Sequence, residues 1–240
     1  MVHFVSCKEL FSFGTHRILK LVSSHHIVKD NQEPALIIAN GAACSDELLG
    51  QLLEWSPVVV ALDGAIERLL AKRIKVDIVL GDFDSITKAL IAENQTDLKF
   101  ISAPDQNKTD LEKAFDYLIA NGHPAVNVVW ATGRRADHAF CNLSLLAPYR
   151  ESLKITVYDD YSRVILLPRK FEKWYPKNTV LSLVPLGLVN SIRTVNLLYP
   201  LNNESLTLGY RNGNSNAAAD DGIVKIEHES GDLLLMECWD

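Results

Sequence analysis

The sequence predicts an α/β domain, a mostly parallel sheet with flanking helices of Rossmann-like kind, followed by an all-β sandwich or barrel. Three features carry this expectation. From residue 34 to about 149, short apolar runs alternate with helical stretches, the pattern of βαβ units. Every polar cluster of chemical interest in that region follows the carboxyl end of a run, where open parallel sheets build their ligand sites. After about Arg150 the helical stretches stop, and short strand-like segments succeed one another between turns.

Residues 1–33 form a leader without a firm hydrophobic period, expected to pack on the first domain. His25-His26 within it is a solvated pair, since neighbouring histidines point to different sides and no third ligand is near. Ala35-Leu36-Ile37-Ile38-Ala39 is the first strand, followed by Asn40-Gly41 and a helix to about Trp55. Val58-Val59-Val60-Ala61-Leu62 is the second, followed by Asp63-Gly64-Ala65 and a helix to about Lys72. Val76-Asp77-Ile78-Val79-Leu80 is the third and breaks into Gly81-Asp82-Phe83-Asp84-Ser85. A helical interval leads to the fourth, Leu98-Lys99-Phe100-Ile101, which ends at Pro104-Asp105-Gln106-Asn107-Lys108-Thr109-Asp110. Thr109 with Glu112 makes a capping box, and Leu111, Ala114, Phe115 and Leu118 then share one helical face until Asn121-Gly122. The fifth strand covers 125–130, and Gly133-Arg134-Arg135-Ala136-Asp137-His138 leads from it into a helix to about Tyr149.

Beyond a boundary near Ser152, strands are expected at 154–158, 164–167, 180–184, 192–197, 205–208, 222–227 and 233–238. Turn-rich segments separate them, among them Arg211-Asn212-Gly213-Asn214. The division is thus 34–152 for the α/β domain and 153–240 for the sandwich.

Composition narrows the function. The chain has 240 residues, 48% of them hydrophobic and 22% charged, values that suit a soluble protein with a sizeable core. A net charge of −6 argues against bulk nucleic-acid binding and against an anionic membrane surface. No run approaches the roughly 20 apolar residues of a membrane span. Cys7, Cys44, Cys141 and Cys238 are scattered without metal-type pairing and are expected to be free buried thiols of a cytoplasmic protein.

The chemistry is concentrated between Val76 and Asp110. Carboxylates gathered at the ends of two neighbouring strands repel one another unless a cation sits between them, and Mg²⁺ takes a few carboxylates together with substrate phosphates. The residues therefore point to metal-dependent phosphoryl transfer. A helix start beside Arg134 and Arg135 adds an anion site. Each cluster also has a plainer reading: a solvated turn for Asp82 and Asp84, an acidic helix start for Asp105 and Asp110, and a basic surface turn with a capping Asp for the last. Gly213-Asn214-Ser215-Asn216 is a turn by default, with side chains able to hydrogen-bond a polar heterocycle.

Together these residues resemble the thiamin pyrophosphokinase family over most of the chain from about Pro34 to Trp239. The markers are Asp63-Gly64, the 81–85 segment, the 105–110 segment, Gly133 with Arg135, Asp137-His138 and Asn142, Leu183-Val184-Pro185-Leu186-Gly187, and Ser215-Asn216. The resemblance implies an ATP-binding α/β domain, a thiamin-binding sandwich, and a homodimer in which thiamin sits between one subunit's α/β domain and its partner's sandwich. It implies Mg²⁺ on Asp82, Asp84 and Asp110, which are also the catalytic residues, and phosphate or nucleotide contacts from Asp63, Gln106, Lys108, Thr109, Arg135, Asp137 and His138. Ser215 and Asn216 fall to thiamin. The expected reaction moves pyrophosphate from ATP to the thiamin hydroxyl, with no nucleic acid or membrane involved. A hydroxymethylpterin-type alcohol as acceptor, or a silent thiamin- or nucleotide-binding protein, are the competing readings. The chain departs from the family pattern at Trp130 and Arg134, where the family usually carries glycine.

Overall fold

The structure, a computed structural model, describes residues 34–55, 57–82, 98–103 and 105–239. The leader, Cys7, Asp84 and the helical interval before the fourth strand lie outside the described residues.

Six strands pair in parallel: β1 (Ala35–Ile38), β2 (Val59–Leu62), β3 (Ile78–Gly81), β4 (Lys99–Ser102), β5 (Ala125–Val129) and β6 (Lys154–Tyr158). Their spatial order is β6-β5-β1-β2-β3-β4. The chain steps outward from β1 to β4 and then returns to lay β5 on the other flank of β1. That reversal opens a crevice between the carboxyl ends of β1 and β5, the switch point at which such sheets bind ligands.

β1, β2 and β3 are buried along their whole length, because helices cover both faces and leave no solvent side for alternation. On one face Leu36, Ile38, Val59 and Ala61 pack with α1 (Asp46–Leu53) through Leu49 and with α2 (Ile66–Ala71) through Ile66 and Leu69. On the other, Ile37, Val60, Leu80 and Val128 meet Leu111, Ala114, Phe115 and Leu118 of α3 (Asp110–Ala120). That face is the one the sequence periodicity marks. Burying its larger side chains contributes about 1.5–3 kcal/mol each. The capping box forms as expected: Thr109 Oγ1 accepts from Glu112 N, and the Glu112 carboxylate accepts from Thr109 N at 2.8 Å. The last helix, α4 (Ala136–Ser144), stops short of the expected Tyr149, and turns carry the chain past Pro148.

The sheet continues across Ser152. β7 (Ser162–Leu166) pairs antiparallel with β6, and beyond it lie β14 (Leu233–Cys238), β9 (Val180–Pro185) and β12 (Gly213–Ala217), which completes ten strands. A second sheet, in the order β11-β10-β13-β8, comprises β8 (Lys170–Tyr175), β10 (Leu188–Val195), β11 (Asn202–Thr207) and β13 (Gly222–Glu227). Leu181, Leu183, Leu233 and Leu235 of the long sheet enclose a core with Val189, Ile192, Val224 and Ile226 of the short one, giving the expected sandwich. The buried Glu237 of β14 ties the sheets together. It accepts hydrogen bonds from Lys173 Nζ (2.7 Å) and Tyr175 Oη (2.5 Å) of β8 and from Arg163 Nη1 (3.1 Å) of β7.

Two strands were not expected. β8, Lys-Phe-Glu-Lys-Trp-Tyr, has no clean alternation, and β12 replaces the turn expected around Gly213-Asn214-Ser215-Asn216. Both are paired at a sheet edge by distant partners, β13 and β9, which override weak local propensity. Cys44, Cys141 and Cys238 form no disulfide among the described residues, but only Cys44 is buried: Cys238 is half-buried and Cys141 exposed. Among the described residues no helix is long and apolar enough to cross a membrane.

Candidate active site

Described residues just beyond the carboxyl ends of β1 to β5 meet at one end of the parallel sheet and line a cleft of about 810 Å³. Backbone contact brings the loops after β1 and β5 together. Gly41 N donates to Trp130 O at 2.5 Å, and a Cβ at Gly41 would stand 2.3 Å from that oxygen, so only glycine fits. Gly133 has φ +71°, and a Cβ there would meet Ala42 Cβ at 2.5 Å. Two hydrogen bonds hold the β5–α4 loop: Thr132 Oγ1 donates to Asp159 Oδ2 (2.9 Å) and Asn142 Nδ2 to Ala131 O (2.8 Å).

The acidic side is built by three strand ends. Asp63 opens a 3-10 turn after β2, and its Oδ1 accepts from Gly64 N at 2.6 Å. Its other oxygen lies 2.4 Å from where a Cβ of Gly81 would stand, so the carboxylate sits over the end of β3, next to Asp82. Asp110 is the first residue of α3, where the helix dipole favours an anion, and it accepts from Lys113 Nζ at 3.1 Å. Asp63, Asp82 and Asp110 all line the cleft.

Cations face them. Lys108 Nζ donates to Asp116 at 2.6 Å, and that hydrogen bond raises the lysine's pKa. Arg135 forks onto Asp137 through Nε (3.1 Å) and Nη2 (2.5 Å), and this guanidinium holds the Asp137 carboxyl down at about 2. Gln106, Thr109 and His138 complete the lining among the residues expected from sequence.

Sequence reasoning did not single out Asn40 or Arg68. The Arg68 guanidinium lies 4.4 Å from the centroid of the buried Trp130 ring and donates to Gly41 O and to Asn40 Oδ1, each at 3.0 Å. The available signal for Asn40 is its place directly after a strand, shared with every acidic loop. For Arg68 no local signal exists, because its partners lie 27 and 28 residues earlier.

Ser215 and Asn216 stand apart from this cleft. They sit on β12, at the opposite end of the ten-stranded sheet from β3 and β4. Asn216 is buried, with Oδ1 accepting from Tyr199 N (3.0 Å) and Ala217 N (2.9 Å) and Nδ2 donating to Tyr199 O (2.8 Å). Its amide thus braces the neighbouring chain at 199. Ser215 is exposed, has φ +55°, and donates its backbone N–H to Ser182 Oγ at 2.9 Å. A second cavity, of about 570 Å³, lies between β6, β7 and β8. Its Arg163 and Lys173 are paired with Glu237, and it has no comparable set of carboxylates.

Comparison with known proteins bears on both halves of the chain. Residues 49–157 match the family model for the thiamin pyrophosphokinase catalytic domain, and residues 164–233 match that for the thiamin pyrophosphokinase vitamin B1 binding domain. The thiamine pyrophosphokinase of Bacillus subtilis strain 168 is 29% identical over 153 residues, 61% of this chain and 71% of that protein. The crystal structure of thiamine pyrophosphokinase from Bacillus subtilis superposes with a TM-score of 0.74 at 25% identity, covering 87% of this chain and all of that one. Yeast thiamin pyrophosphokinase superposes with a TM-score of 0.76 at 14% identity, over 88% of each chain, a likeness of fold.

Proposed function

This chain belongs to the thiamin pyrophosphokinase family, and we propose that it transfers pyrophosphate from ATP to the hydroxyl of thiamin, giving thiamin diphosphate and AMP. The observation that carries the reading is one cleft, at the sheet's switch point, in which Asp63, Asp82 and Asp110 face Lys108 and Arg135. In the reaction the thiamin oxygen bonds to the β-phosphorus, the bond from that phosphorus to the α,β-bridging oxygen breaks, and AMP leaves. Such transfer rests on positioning and charge neutralisation rather than on covalent chemistry with the protein. Gln106, Lys108 and Arg135 orient phosphate oxygens, Thr109 fixes the start of α3 beneath them, and Asp63, Asp137 and His138 shape the nucleotide pocket. A carboxylate among Asp82, Asp84 and Asp110 takes the hydroxyl proton.

The same three carboxylates are the residues we assign to Mg²⁺. Among the described residues no three His, Cys, Asp or Glu side chains form a ready cage. Mg²⁺ is held through one or two carboxylates, with water and phosphate oxygens filling its shell, so Asp82 and Asp110 of the cleft suffice in number. Bound there, the ion would offset phosphate charge as it shifts toward the leaving AMP.

We assign the nucleotide to residues 34–152 and thiamin to residues 153–240, with Ser215 and Asn216 at the aminopyrimidine. The distance of β12 from the acidic cleft within one chain supports a homodimer, because residues at opposite ends of one sheet can serve one reaction only across two subunits. The lack of a disulfide at Cys44, Cys141 and Cys238 supports our assignment to a reducing, cytoplasmic setting.

The deciding assay follows AMP and thiamin diphosphate from ATP, thiamin and Mg²⁺, with and without EDTA. Equimolar products that EDTA abolishes are expected. Full turnover in EDTA would remove the metal, and no product from folded, ATP-binding protein would remove thiamin as the acceptor.

A further inference from the structure

The cations of the cleft are not equivalent. Lys108, Lys113 and Arg135 each have a carboxylate within hydrogen-bonding distance, in Asp116, Asp110 and Asp137 respectively. Arg134 has none among the described residues. Its Nη1 reaches only neutral acceptors on Asn40, the backbone oxygen at 3.3 Å and Oδ1 at 3.4 Å, both long for a guanidinium.

The neighbourhood makes this arrangement less comfortable still. Asn40 Oδ1 already accepts from Arg68 at 3.0 Å, so two guanidinium groups converge on one amide oxygen. Arg68 is held by its stack on Trp130 and by Gly41 O, and it cannot swing away without breaking both contacts. Its pKa is lowered, by burial first and then by the charge of Arg134. Arg134 is exposed, lines the cleft, and sits on a backbone of φ +55°, next to Gly133 at φ +71°. A long side chain on left-handed backbone, repelled from behind and weakly bonded in front, is arranged to turn onto an anion.

Building on the reading of the cleft as a nucleotide site, we infer that Arg134 is a phosphate-binding residue of this chain, leaving Asn40 to donate to a phosphate oxygen of a nucleoside di- or triphosphate. Arg68 acts through it, as a fixed positive charge that weakens the resting contact with Asn40. The paired cations Lys108 and Arg135 must give up a carboxylate before they can do the same, whereas Arg134 gives up two weak neutral contacts.

The test is calorimetry of ATP, ADP and adenosine binding to the full chain as wild type, Arg134→Gly and Arg134→Lys. Glycine suits the left-handed backbone, so the first variant is expected to melt no lower than wild type. Losing a charge-assisted contact should weaken ATP and ADP about tenfold to a hundredfold and leave adenosine within about twofold. Lysine, a point charge without the fork, should recover part of the loss. ATP binding by Arg134→Gly within about twofold of wild type would overturn the inference, as would equal losses for ATP and adenosine. Absence of ATP binding by wild type would instead remove the nucleotide reading on which it rests.

Discussion

Asp82 and Trp130 close two strands of one sheet, and their side chains face opposite demands. Asp82 is exposed at the mouth of the cleft, so its replacement tests chemistry with little cost to folding. Asp82→Asn should lower turnover on the order of 10²-fold or more while the thermal melt stays near that of wild type. Near-normal turnover would remove the role in metal and phosphate binding proposed for Asp82. Trp130 is 1% exposed and holds φ +57°, an uncommon backbone for a bulky residue. The Gly41 hydrogen bond, the Arg68 stack and the surrounding core impose that conformation. Trp130→Ala keeps the backbone demand and removes the packing, so urea denaturation should show a loss of about 3–5 kcal/mol. A loss below about 1 kcal/mol would mean that the site collapses around the gap. The acidic loops were legible in sequence because aspartates after a strand announce themselves locally. The left-handed turn at Trp130 was not, because it is enforced by residues far away in the chain, Gly41 after β1 and Arg68 on α2.

The same division between local and distant causes separates the elements. α3 was readable from its capping box and four-residue apolar face, all within its own length. β8 and β12 were not, because each is a strand by virtue of a partner far along the chain. The cap of α3 also presents Asp110 to the cleft, which gives it a double readout. Thr109→Ala should cost about 1 kcal/mol of stability and weaken ATP binding, whereas Thr109→Ser should restore both. Stability lost with no change in ATP binding would separate the cap from the site. Between the two sheets, Glu237 gives a dependence on acid. Burial by itself would raise its pKa, but the hydrogen bonds from Lys173 and Tyr175 and the charge of Arg163 outweigh burial and hold it below the ordinary 4.5. A folded pKa below the unfolded one gives stability that is full above about pH 4.5 and is lost as pH falls through the folded value. Glu237→Gln should therefore be less stable at pH 7 and should lose less than wild type on acidification. Parallel stability curves for the two proteins below pH 5 would show that Glu237 is not the group responsible.

At the scale of the whole molecule, the ten-stranded sheet sets the geometry of the reaction. It holds the acidic cleft at the ends of β1 to β5 and β12 at its far edge, and Ser215 is not among the described residues that line the cleft. If Ser215 serves thiamin, as proposed, the nucleotide site of one subunit must meet the β12 of another. Mixing two defective chains tests that requirement more sharply than a mass measurement does. Asp82→Asn removes the phosphate half of a site. Ser215→Trp blocks the thiamin half at an exposed edge position, where added bulk need not disturb the core. Each variant alone should be nearly inactive. Unfolded together in equal amounts and refolded, they form about half mixed dimers, and each mixed dimer assembles one site from two undamaged halves. Activity should return to about a quarter of the wild-type level for the same total protein. If both halves of a site came from one chain, every site in the mixture would keep a defect and activity would stay at the level of the separate variants. Recovery would thus establish the shared site through chemistry, since a dimer formed by any other surface cannot produce it.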